Sequence, residues 1–387
     1  MRLSAVLRDA GHKVVWWTST YSHASKTTRR MSDYSEVEGL GFRFIPTRPY
    51  AKNISLSRIV NHRQFSAGVI RAMRMELEGG GQPDKIIVSL PLIGAAAGVV
   101  RLAGEFSIPV VIDVQDVWPD SFRVLLPKGQ LFDVISRFLF WPIRRKVRAA
   151  LKQADQVVAT CETYRGWVEE LGGDAEKYFY LGADRRGRIA KSENRRLANF
   201  SDRDTSAIRL IYTGSMGAAY DLETIIRVIQ KFKEEGCRLR VDFAGSGQQE
   251  SKLKKKVERI GLTDSIFFHG FLDSQALDDL LSTADVGIIA MHSASQVVMP
   301  NKAADYLSAG LAVANTLPGE LERKLSEYGC GRTYSAGDPE SLVEALRPWL
   351  ESADALAGAK AGASRLFDEH FDAAKIYPKY AEWVSGA

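Results

Sequence analysis

The chain has 387 residues, which is too long for one ordinary hydrophobic core and indicates two domains. Hydrophobic residues make up 45% of it and charged residues 26%, a composition that is typical of a soluble globular protein and excludes a disordered one. The net charge of +5 is modest, and we expect no nucleic-acid partner.

The three cysteines, Cys161, Cys237 and Cys330, are far apart in the sequence and match no metal-binding spacing. Their pattern favours a reducing, cytoplasmic compartment. No apolar run reaches the roughly 18 to 20 residues that a membrane span needs, and no signal peptide opens the sequence.

The first half alternates between helical and strand patterns. Leu3, Val6 and Leu7 form a helical face that stops at Gly11, and Val14 to Thr18 reads as a strand. Because a parallel α/β domain usually opens on a strand, we expect an opening strand and its loop to be missing here. The further predicted elements are strands at 41–46, 85–89, 110–114, 156–159 and 177–181, and helices at 57–77, 93–106 and 161–171.

The strand at 110–114 is a continuous β-branched run of the kind found in buried parallel strands, and it leads into DVQDVWPD. Ligands bind at the carboxyl edge of such sheets, so Asp113, Gln115, Asp116 and Asp120 are candidate site residues. The alternative is that Asp116 and Asp120 cap a helix and that Trp118 packs under it.

An unusual segment occupies residues 131–148, where large apolar residues including Phe138 and Trp141 run directly into Arg144 and Arg145. This composition is typical of a helix that lies in a membrane interface, with rings in the headgroup layer and cations near anionic lipid. The alternative is a core helix followed by a solvated basic face. We favour membrane contact.

Residues 185–207 are rich in Arg, Asn, Ser and Asp and form the best linker candidate. A second alternation begins at Ile208, with strands at 208–212, 239–244, 266–268, 285–290 and 311–314 separated by helices. The fold class is therefore α/β, with two doubly wound parallel-sheet domains facing a central cleft. We expect a first domain at 1–184, a second domain at 208–368, and a terminal helix at 369–387 that packs back on the first domain.

Glycine-rich turns follow three strands of the second half. Gly214, Ser215 and Gly217 lie in the first turn and Gly245 and Gly247 in the second. Glycines let the backbone approach a ligand, and the N-terminus of a following helix favours phosphate. The alternative for the first turn alone is a tight connection that binds nothing. The third turn is formed by His269 to Phe271.

Asn301 and Lys302 begin a predicted helix, and Asp305 lies three residues after Lys302 on the same face. A cation and an acid so placed suit two ends of one ligand, a phosphate and the ribose hydroxyls. The alternative is a surface ion pair, which contributes only a few tenths of a kcal/mol. Together with the glycine turns, the ligand interpretation is favoured.

The chain resembles a retaining glycosyltransferase of the GT-B group, family 4, and in particular its bacterial cell-surface polysaccharide members of the fucosamine-transferase type. The resemblance covers nearly the whole chain and depends on eight stretches that occur in the family's order. They are LRDAGHKVVWWTS (7–19), PVVIDVQDVWPDSF (109–122), ADQVVATCETYRGWV (154–168), YLGAD (180–184), YTGSMGAAYDLETII (212–226), VDFAGSG (241–247), IFFHGFLDSQALDDLLSTADVGIIA (266–290) and PNKAADYLSAGLAVA (300–314).

The resemblance implies a nucleotide-sugar donor that is bound by the domain at 208–368, an acceptor that is bound by the domain at 1–184, and transfer with retention. It also favours UDP over GDP as the nucleotide. It assigns the turn at 214–217 to the donor diphosphate, Gly245 and Gly247 to the nucleotide, and the backbone of 269–271 to the base. Lys302 would neutralise the diphosphate and Asp305 would bind the ribose. Three positions depart from the family: many members have Glu where this chain has Val297, Arg where it has Ser215, and His where it has Gln115.

A leaving diphosphate held by Lys302 and backbone N–H groups needs no metal, so no metal or other cofactor is expected. Asp116 is the candidate catalytic residue, with Gln115 and Trp118 beside the acceptor. The acceptor would be a polyprenyl-diphosphate-linked sugar or another saccharide at the inner face of the plasma membrane, in O-antigen or capsule synthesis. A nucleotide-sugar epimerase and a non-catalytic scaffold of the same fold remain as alternatives, whereas a dehydrogenase is excluded because no GxGxxG motif follows a strand.

Overall fold

The computed structural model describes residues 1–23, 26–29, 34–51, 55–125, 130–186, 208–292 and 297–386. The chain divides into two compact units. Unit 1 comprises Met1–Tyr180 together with Tyr377–Ala387, and unit 2 comprises Leu181–Ile376. Both units are α/β, as the alternating pattern predicts.

Unit 1 contains two parallel α/β segments in succession. Its elements are α1 (Arg2–Asp9), β1 (Val15–Ser19), β2 (Tyr21–Ser22), β3 (Thr27–Thr28), β4 (Tyr34–Val37), β5 (Leu40–Ile45), α2 (Leu56–Glu78), β6 (Ile86–Leu90), α3 (Ile93–Glu105), β7 (Val110–Val114), a 3-10 helix (Asp120–Leu125), α4 (Gln130–Gln153), β8 (Gln156–Ala159), α5 (Glu162–Glu170) and β9 (Lys177–Tyr178).

The strands of unit 1 form a three-stranded sheet, a four-stranded sheet and a small hairpin. The first sheet has the order β1-β5-β4, in which β4 is antiparallel to β5, and the second has the all-parallel order β6-β7-β8-β9. All five residues of β7 are buried, which explains its unbroken β-branched sequence. The carboxyl end of β7 leads into the loop that carries Asp116 and Trp118.

Unit 2 continues the alternation of strands and helices. Its elements are β10 (Ile208–Thr213), α6 (Leu222–Glu234), β11 (Leu239–Ala244), α7 (Glu250–Arg259), β12 (Ile266–Gly270), α8 (Ser274–Ser282), β13 (Val286–Ile289), α9 (Asn301–Ser308), β14 (Ala312–Asn315), α10 (Glu320–Glu327), β15 (Gly331–Thr333), α11 (Pro339–Glu351), α12 (Ala353–His370) and the start of α13 (Ala373–Ser385).

The six strands of unit 2 are parallel and follow the order β12-β11-β10-β13-β14-β15. Numbered within the unit, this is the doubly wound order 3-2-1-4-5-6, in which the chain reverses its direction of winding between β10 and β13. Loops diverge at that reversal on the carboxyl side of the strands and leave a crevice between them. The topology therefore predicts a ligand site at the carboxyl ends of β10 and β13.

The last helix contributes to unit 1. Tyr380 and Val384 of α13 pack in one buried cluster with Val111 of β7 and Val158 of β8. The Tyr380 ring also stacks on Phe179, with ring centroids 4.7 Å apart.

Three short elements were missed by the sequence patterns, namely the β2–β3 hairpin, β4 and β15. Most of the predicted linker, residues 187–207, lies outside the described residues. Its first two residues are described and are ion-paired within unit 2, since Arg185 pairs with Asp368 and Arg186 with Asp278 and Asp305. Among the helices in the described part of the chain, none combines the length and the apolar character that crossing a bilayer requires.

Candidate functional site

The crevice of unit 2 is bounded by two glycine turns whose backbones touch. Gly214 follows β10 with φ +116°, and Gly245 follows β11 with φ +134°. A Cβ atom on Gly245 would lie 2.0 Å from the carbonyl oxygen of Gly214, and one on Gly247 would lie 2.6 Å from the backbone of Met216. These glycines are required because one turn packs directly on the other.

Hydrogen bonds hold the two turns together and use N–H groups that the sequence assigned to a ligand. Gly214 N–H donates to the Ala244 carbonyl at 2.8 Å, and Met216 N–H donates to Ser246 at 2.9 Å. Gly245 N–H donates to the carbonyl of Gly270 at 2.7 Å. Ser215 is exposed, whereas Gly217 is half-buried and its carbonyl accepts hydrogen bonds from the Gln249 side chain and from Tyr220 N–H at 3.1 Å.

The N-terminus of α6 carries its own carboxylate. Asp221 is buried, and its Oδ1 accepts hydrogen bonds from Thr224 N–H at 3.4 Å and Thr224 Oγ1 at 2.9 Å. Its Oδ2 accepts from Gly337 N–H at 2.5 Å. A phosphate beside this carboxylate would be repelled, so the expectation that the start of this helix holds the diphosphate is not supported by the geometry.

The start of α9 differs from that of α6. Its N-cap residue is Pro300, which provides no side-chain cap. Asn301 is exposed in the first turn and Lys302 follows it. N–H groups at a helix start without a side-chain cap suit an oxygen anion. The N-terminus of α9 could therefore bind such an anion, whereas that of α6 is already capped by Asp221.

The ammonium group of Lys302 is buried at the end of β10 and has no hydrogen-bond partner among the described residues. It lies 4.1 Å from the ring centroid of Tyr212 and 4.5 Å from that of Tyr220, and a Cβ atom on Gly214 would be 3.5 Å from it. Burial lowers its pKa to about 7, and the nearby Asp305 opposes this shift. A buried cation without a hydrogen-bonded anion is costly, so this group is suited to receiving one from a ligand.

Tyr306 fixes the position of Lys302 relative to the strands, and sequence reasoning did not identify it. Its hydroxyl accepts a hydrogen bond from Thr213 N–H at 2.9 Å and donates to the Ile288 carbonyl at 3.2 Å. Its ring fills the space over Gly287, where a Cβ atom would lie 2.3 Å away. The tyrosine therefore ties α9 to the ends of β10 and β13, and the regular spacing Lys302–Tyr306 on one helix face was the signal.

Asp305 is already engaged by a cation. Its carboxylate accepts a hydrogen bond from Arg186 at 2.8 Å, and the side chain is 30% exposed. The hydrogen-bonded Lys302–Asp305 pair that the sequence left as an alternative is not formed, since Lys302 Nζ has no such partner. A ribose would share Asp305 with Arg186 or displace it.

The third turn brings His269 against Asp242. His269 Nε2 and Asp242 Oδ1 are 2.7 Å apart, and Arg240 also donates to this carboxylate at 2.9 Å. Burial acts to raise the pKa of Asp242, but these hydrogen bonds outweigh it and lower the pKa. The imidazole is thus turned toward the sheet, whereas Phe271 is 86% exposed and open to a planar ligand.

In unit 1 the acidic residues predicted at the end of β7 differ in how deeply they are buried and in what they bind. Asp113 is buried, which raises its pKa to about 6, and it accepts a hydrogen bond from the side chain of Gln115 at 2.6 Å. Asp116 is half-buried and accepts from Val117 N–H at 2.8 Å, and burial raises its pKa as well. Asp120 binds Arg144 and the Trp167 indole and has a structural role.

Trp118 is half-buried and packs on Phe122 of the 3-10 helix that begins at Asp120, with ring centroids 4.5 Å apart, as the alternative had it, and it also contacts side chains of α2. It stacks on His62 with centroids 5.6 Å apart, and the Arg58 guanidinium lies 4.8 Å from its ring.

Helix α4 exposes the aromatic residues that the sequence assigned to a membrane. Phe138 is 77% exposed and Trp141 is 58% exposed. Arg145 lies 5.6 Å from the Trp141 ring. Arg144, in contrast, donates to both oxygens of Asp120 at 2.7 Å, so its charge is largely used within unit 1.

Solved structures share this architecture. Sucrose-phosphate synthase from Thermosynechococcus elongatus superimposes with a TM-score of 0.75 at 14% identity, covering 100% of this chain and 91% of that one. Anabaena HepE in complex with UDP-glucose gives a TM-score of 0.62 at 15% identity, covering 89% and 86%. With the strand order of unit 2, these matches define the chain as a GT-B fold protein.

Family models identify both halves of the chain. Residues 1–183 match the glycosyl transferase 4-like domain, and residues 194–363 match glycosyl transferases group 1. The chain therefore belongs to the group 1, GT4-like glycosyl transferases. A relative from Escherichia coli named as a colanic acid biosynthesis glycosyl transferase, WcaI, is 24% identical over 243 residues, which are 59% of this chain and 56% of that protein. The match thus spans little more than half of that relative's length.

Proposed function

We propose that this protein is a retaining glycosyltransferase that moves a sugar from a UDP-sugar to a lipid-linked or saccharide acceptor during the assembly of a cell-surface polysaccharide. The observation that carries the proposal is the buried Lys302 ammonium, which has no hydrogen-bonded counterion among the described residues and lies at the strand reversal where nucleotides bind. The similarity to WcaI, which is named for colanic acid biosynthesis, supports a polysaccharide product, and the UDP-glucose complex of HepE supports a UDP-sugar donor. The fucosamine-transferase type is our proposed subgroup.

In the proposed reaction the bond between the sugar and the diphosphate breaks, and negative charge develops on the leaving phosphate. Lys302 and the open N-terminus of α9 stabilise that charge. Because these groups supply the positive charge, we propose that no metal ion is needed. The acceptor hydroxyl attacks from the side of the leaving group, whose phosphate takes its proton, and the configuration of the sugar is retained.

Asp116 is the proposed acceptor-side carboxylate in unit 1. Burial raises its pKa above the usual aspartate value, and we propose that its oxygens bind sugar hydroxyls by hydrogen bonds. Trp118, two residues later, offers a partly open ring surface for a sugar face. Gln115 is held by Asp113 and orients this loop.

We further propose that α4 lies on the inner face of the plasma membrane. The exposed rings of Phe138 and Trp141 would enter the headgroup layer. A cleft of about 730 Å³ beside Trp141 is lined by three arginines and by two carboxylates, namely Arg144, Arg145, Arg148, Asp120 and Glu170. Because Asp120 pairs with Arg144, we propose Arg145 and Arg148 as the cations that meet an anionic headgroup. This placement supports a polyprenyl-diphosphate-linked acceptor.

The epimerase alternative is not favoured. It needs an acid and a histidine that move a proton on the sugar. His269 is instead hydrogen-bonded to the buried Asp242.

The test of the donor site is calorimetric titration with UDP and with GDP, each with and without a chelator. We expect micromolar binding of UDP that survives the chelator and weakens at least about tenfold in Lys302→Ala, since a charge-assisted contact to phosphate is lost. Lys252→Ala is the matched control, because the Lys252 side chain is 73% exposed in the same unit. Equal affinity in the two variants would contradict the assignment, and binding without any sugar transfer would favour the scaffold.

A further inference from the structure

The first turns of α2 in unit 1 carry a pair of basic residues that the proposed function does not use. Ser55 caps the helix by accepting from Arg58 N–H at 3.2 Å, which fixes the first turn. Arg58 and His62 lie one turn apart, and Arg58 Nε is 3.4 Å from His62 Nε2. Both side chains pack on Trp118, the residue that follows the acceptor-side Asp116 by two positions.

Two more basic groups reach the same place from the loop before β3. His23 Nδ1 lies 2.6 Å from the Tyr50 hydroxyl, and Lys26 Nζ lies 3.2 Å from His23 Nδ1. Lys26 is 4.8 Å from the Tyr50 ring centroid, and Arg58 is 6.0 Å from it. The Tyr50 ring therefore joins the two pairs into a single cluster of Lys26, His23, Arg58 and His62, which we call the α2 basic cluster.

The members of the α2 basic cluster disfavour one another's charge. Burial lowers the pKa of His62 to about 4, with further lowering by Arg58 and His23. The pKa of His23 is lowered mainly by burial and further by the charges of Lys26 and Arg58. The pKa of Lys26 is lowered mainly by burial and further by the charge of Arg58. An oxygen anion placed among these groups would reverse the repulsion.

We infer that the α2 basic cluster is the subsite for a phosphate or diphosphate group of the acceptor substrate. This inference rests on the proposed transferase function and assigns the anionic part of its acceptor. Arg58 has the planar, multidentate geometry that suits phosphate oxygens, and its stacking between the Trp118 and Tyr50 rings orients it. Lys26 adds a mobile point charge at the rim.

The surroundings of the cluster suit an acceptor whose phosphate is attached to an apolar chain. Leu56 is 81% exposed, Ile59 50% and Val60 39%, all within the first turns of α2. Exposed apolar residues beside the cations Lys26 and Arg58 match the two parts of a prenyl diphosphate. Trp118 contacts both Arg58 and His62 and is two residues from Asp116, so the first sugar after the diphosphate would lie near this ring and Asp116.

The experiment measures the binding of inorganic pyrophosphate and of farnesyl diphosphate to the full chain carrying Lys302→Ala, which removes the donor-side cation. In this background we expect Arg58→Gln to weaken both ligands by about tenfold or more. Arg63→Gln is the matched control, because it removes the same charge from an exposed position on the same helix. Arg58→Lys keeps the charge and should retain part of the affinity, and melting curves of each variant report whether it is folded.

Tighter binding of farnesyl diphosphate than of pyrophosphate supports the subsite and identifies a lipid-linked phosphate as its source. Equal binding supports the subsite and identifies a phosphate carried by a soluble saccharide. Equal effects of Arg58→Gln and Arg63→Gln would overturn the inference, as would the absence of binding in the Lys302→Ala background. UDP titration of the wild-type chain and of Arg58→Gln alone tests the donor site separately, and we expect the same UDP affinity in both.

Discussion

Lys302 is an unfavourable residue for folding, because its ammonium leaves water without gaining a hydrogen bond from the described residues. The rings of Tyr212 and Tyr220 attract the cation and so offset part of the free-energy cost of burying it. Such an arrangement is retained when a ligand completes it, as proteins sacrifice stability at their binding sites.

The charge of Lys302 makes UDP binding depend on pH. With its pKa near 7 in the free protein, Lys302 is already protonated below that pH, and binding takes up no proton there. Above pH 7 the group is largely neutral, and the diphosphate, which raises its pKa, must draw a proton from solution. We therefore expect UDP affinity to fall as pH rises from about 7 to about 9.

Calorimetry in buffers of different ionisation enthalpy measures this proton uptake directly. Lys302→Arg should bind UDP with little pH dependence over the same range, because a guanidinium stays charged. The nucleotide's own phosphate ionises near pH 6 and does not interfere. A wild-type affinity that stays constant up to about pH 9 would contradict the prediction.

At the residue scale the sequence identified Lys302 but not its environment. A lysine at the start of a helix after a strand can be recognised from the local pattern. Its ring partners Tyr212 and Tyr220 belong to β10 and to the turn after it, and only the parallel pairing of β10 with β13 brings them to α9. Arg186, which binds Asp305, could not be predicted because it lies in a segment that reads as a linker.

The two glycine turns of unit 2 act as one structural element, because the first turn leaves no room for a side chain at Gly245 or Gly247 of the second. Their spacing after a strand is visible in the sequence, and it predicted a close backbone approach. We expected the glycine backbone to approach a ligand, but the group that it approaches is largely the neighbouring turn. Strands β7 and β10 were predictable from their apolar runs, whereas β4 and β15 are short edge strands with weak patterns.

Gly245→Ala tests the packing of the two turns. We expect a loss of about 2 kcal/mol or more in the free energy of unfolding, from the positive φ and the 2.0 Å approach to the Gly214 carbonyl, together with weaker UDP binding. Gly358→Ala in α12 is the control, since no atom lies within 4 Å of a Cβ there and alanine should stabilise the helix by about 0.5–1 kcal/mol. Denaturant unfolding measures both, and equal stability of the two variants would refute the packing argument.

At the scale of the whole molecule, the proposed donor residues lie in unit 2, and the proposed acceptor and membrane residues lie in unit 1. This proposed distribution of residues is consistent with two α/β units, each of which has its own set of loops at the carboxyl ends of its strands. The presence of two α/β units was predictable, because alternating strands and helices on either side of a polar segment are a strong pattern. The separation also means that membrane contact and nucleotide binding can be tested independently.

Phe138→Ser combined with Trp141→Ser should reduce sedimentation with anionic liposomes several-fold and leave UDP affinity unchanged, since only exposed rings are removed from unit 1. Met75→Ser is the control, because Met75 is an apolar residue of unit 1 that is 69% exposed on another helix. Arg145 is a better charge probe than Arg144, whose loss would leave Asp120 without its ion pair. Unchanged sedimentation of the double variant would exclude α4 as the membrane surface.

The path of the chain through the two units has a consequence for its synthesis. Tyr380 and Val384 complete a buried cluster around Val111 and Val158, but they are made after all of unit 2. Unit 2 can fold as soon as its own continuous segment has left the ribosome, whereas β7 and β8 emerge early and wait for α13 with part of their apolar surface uncovered. During translation unit 1 is therefore the unit whose apolar surface stays exposed to water for longest.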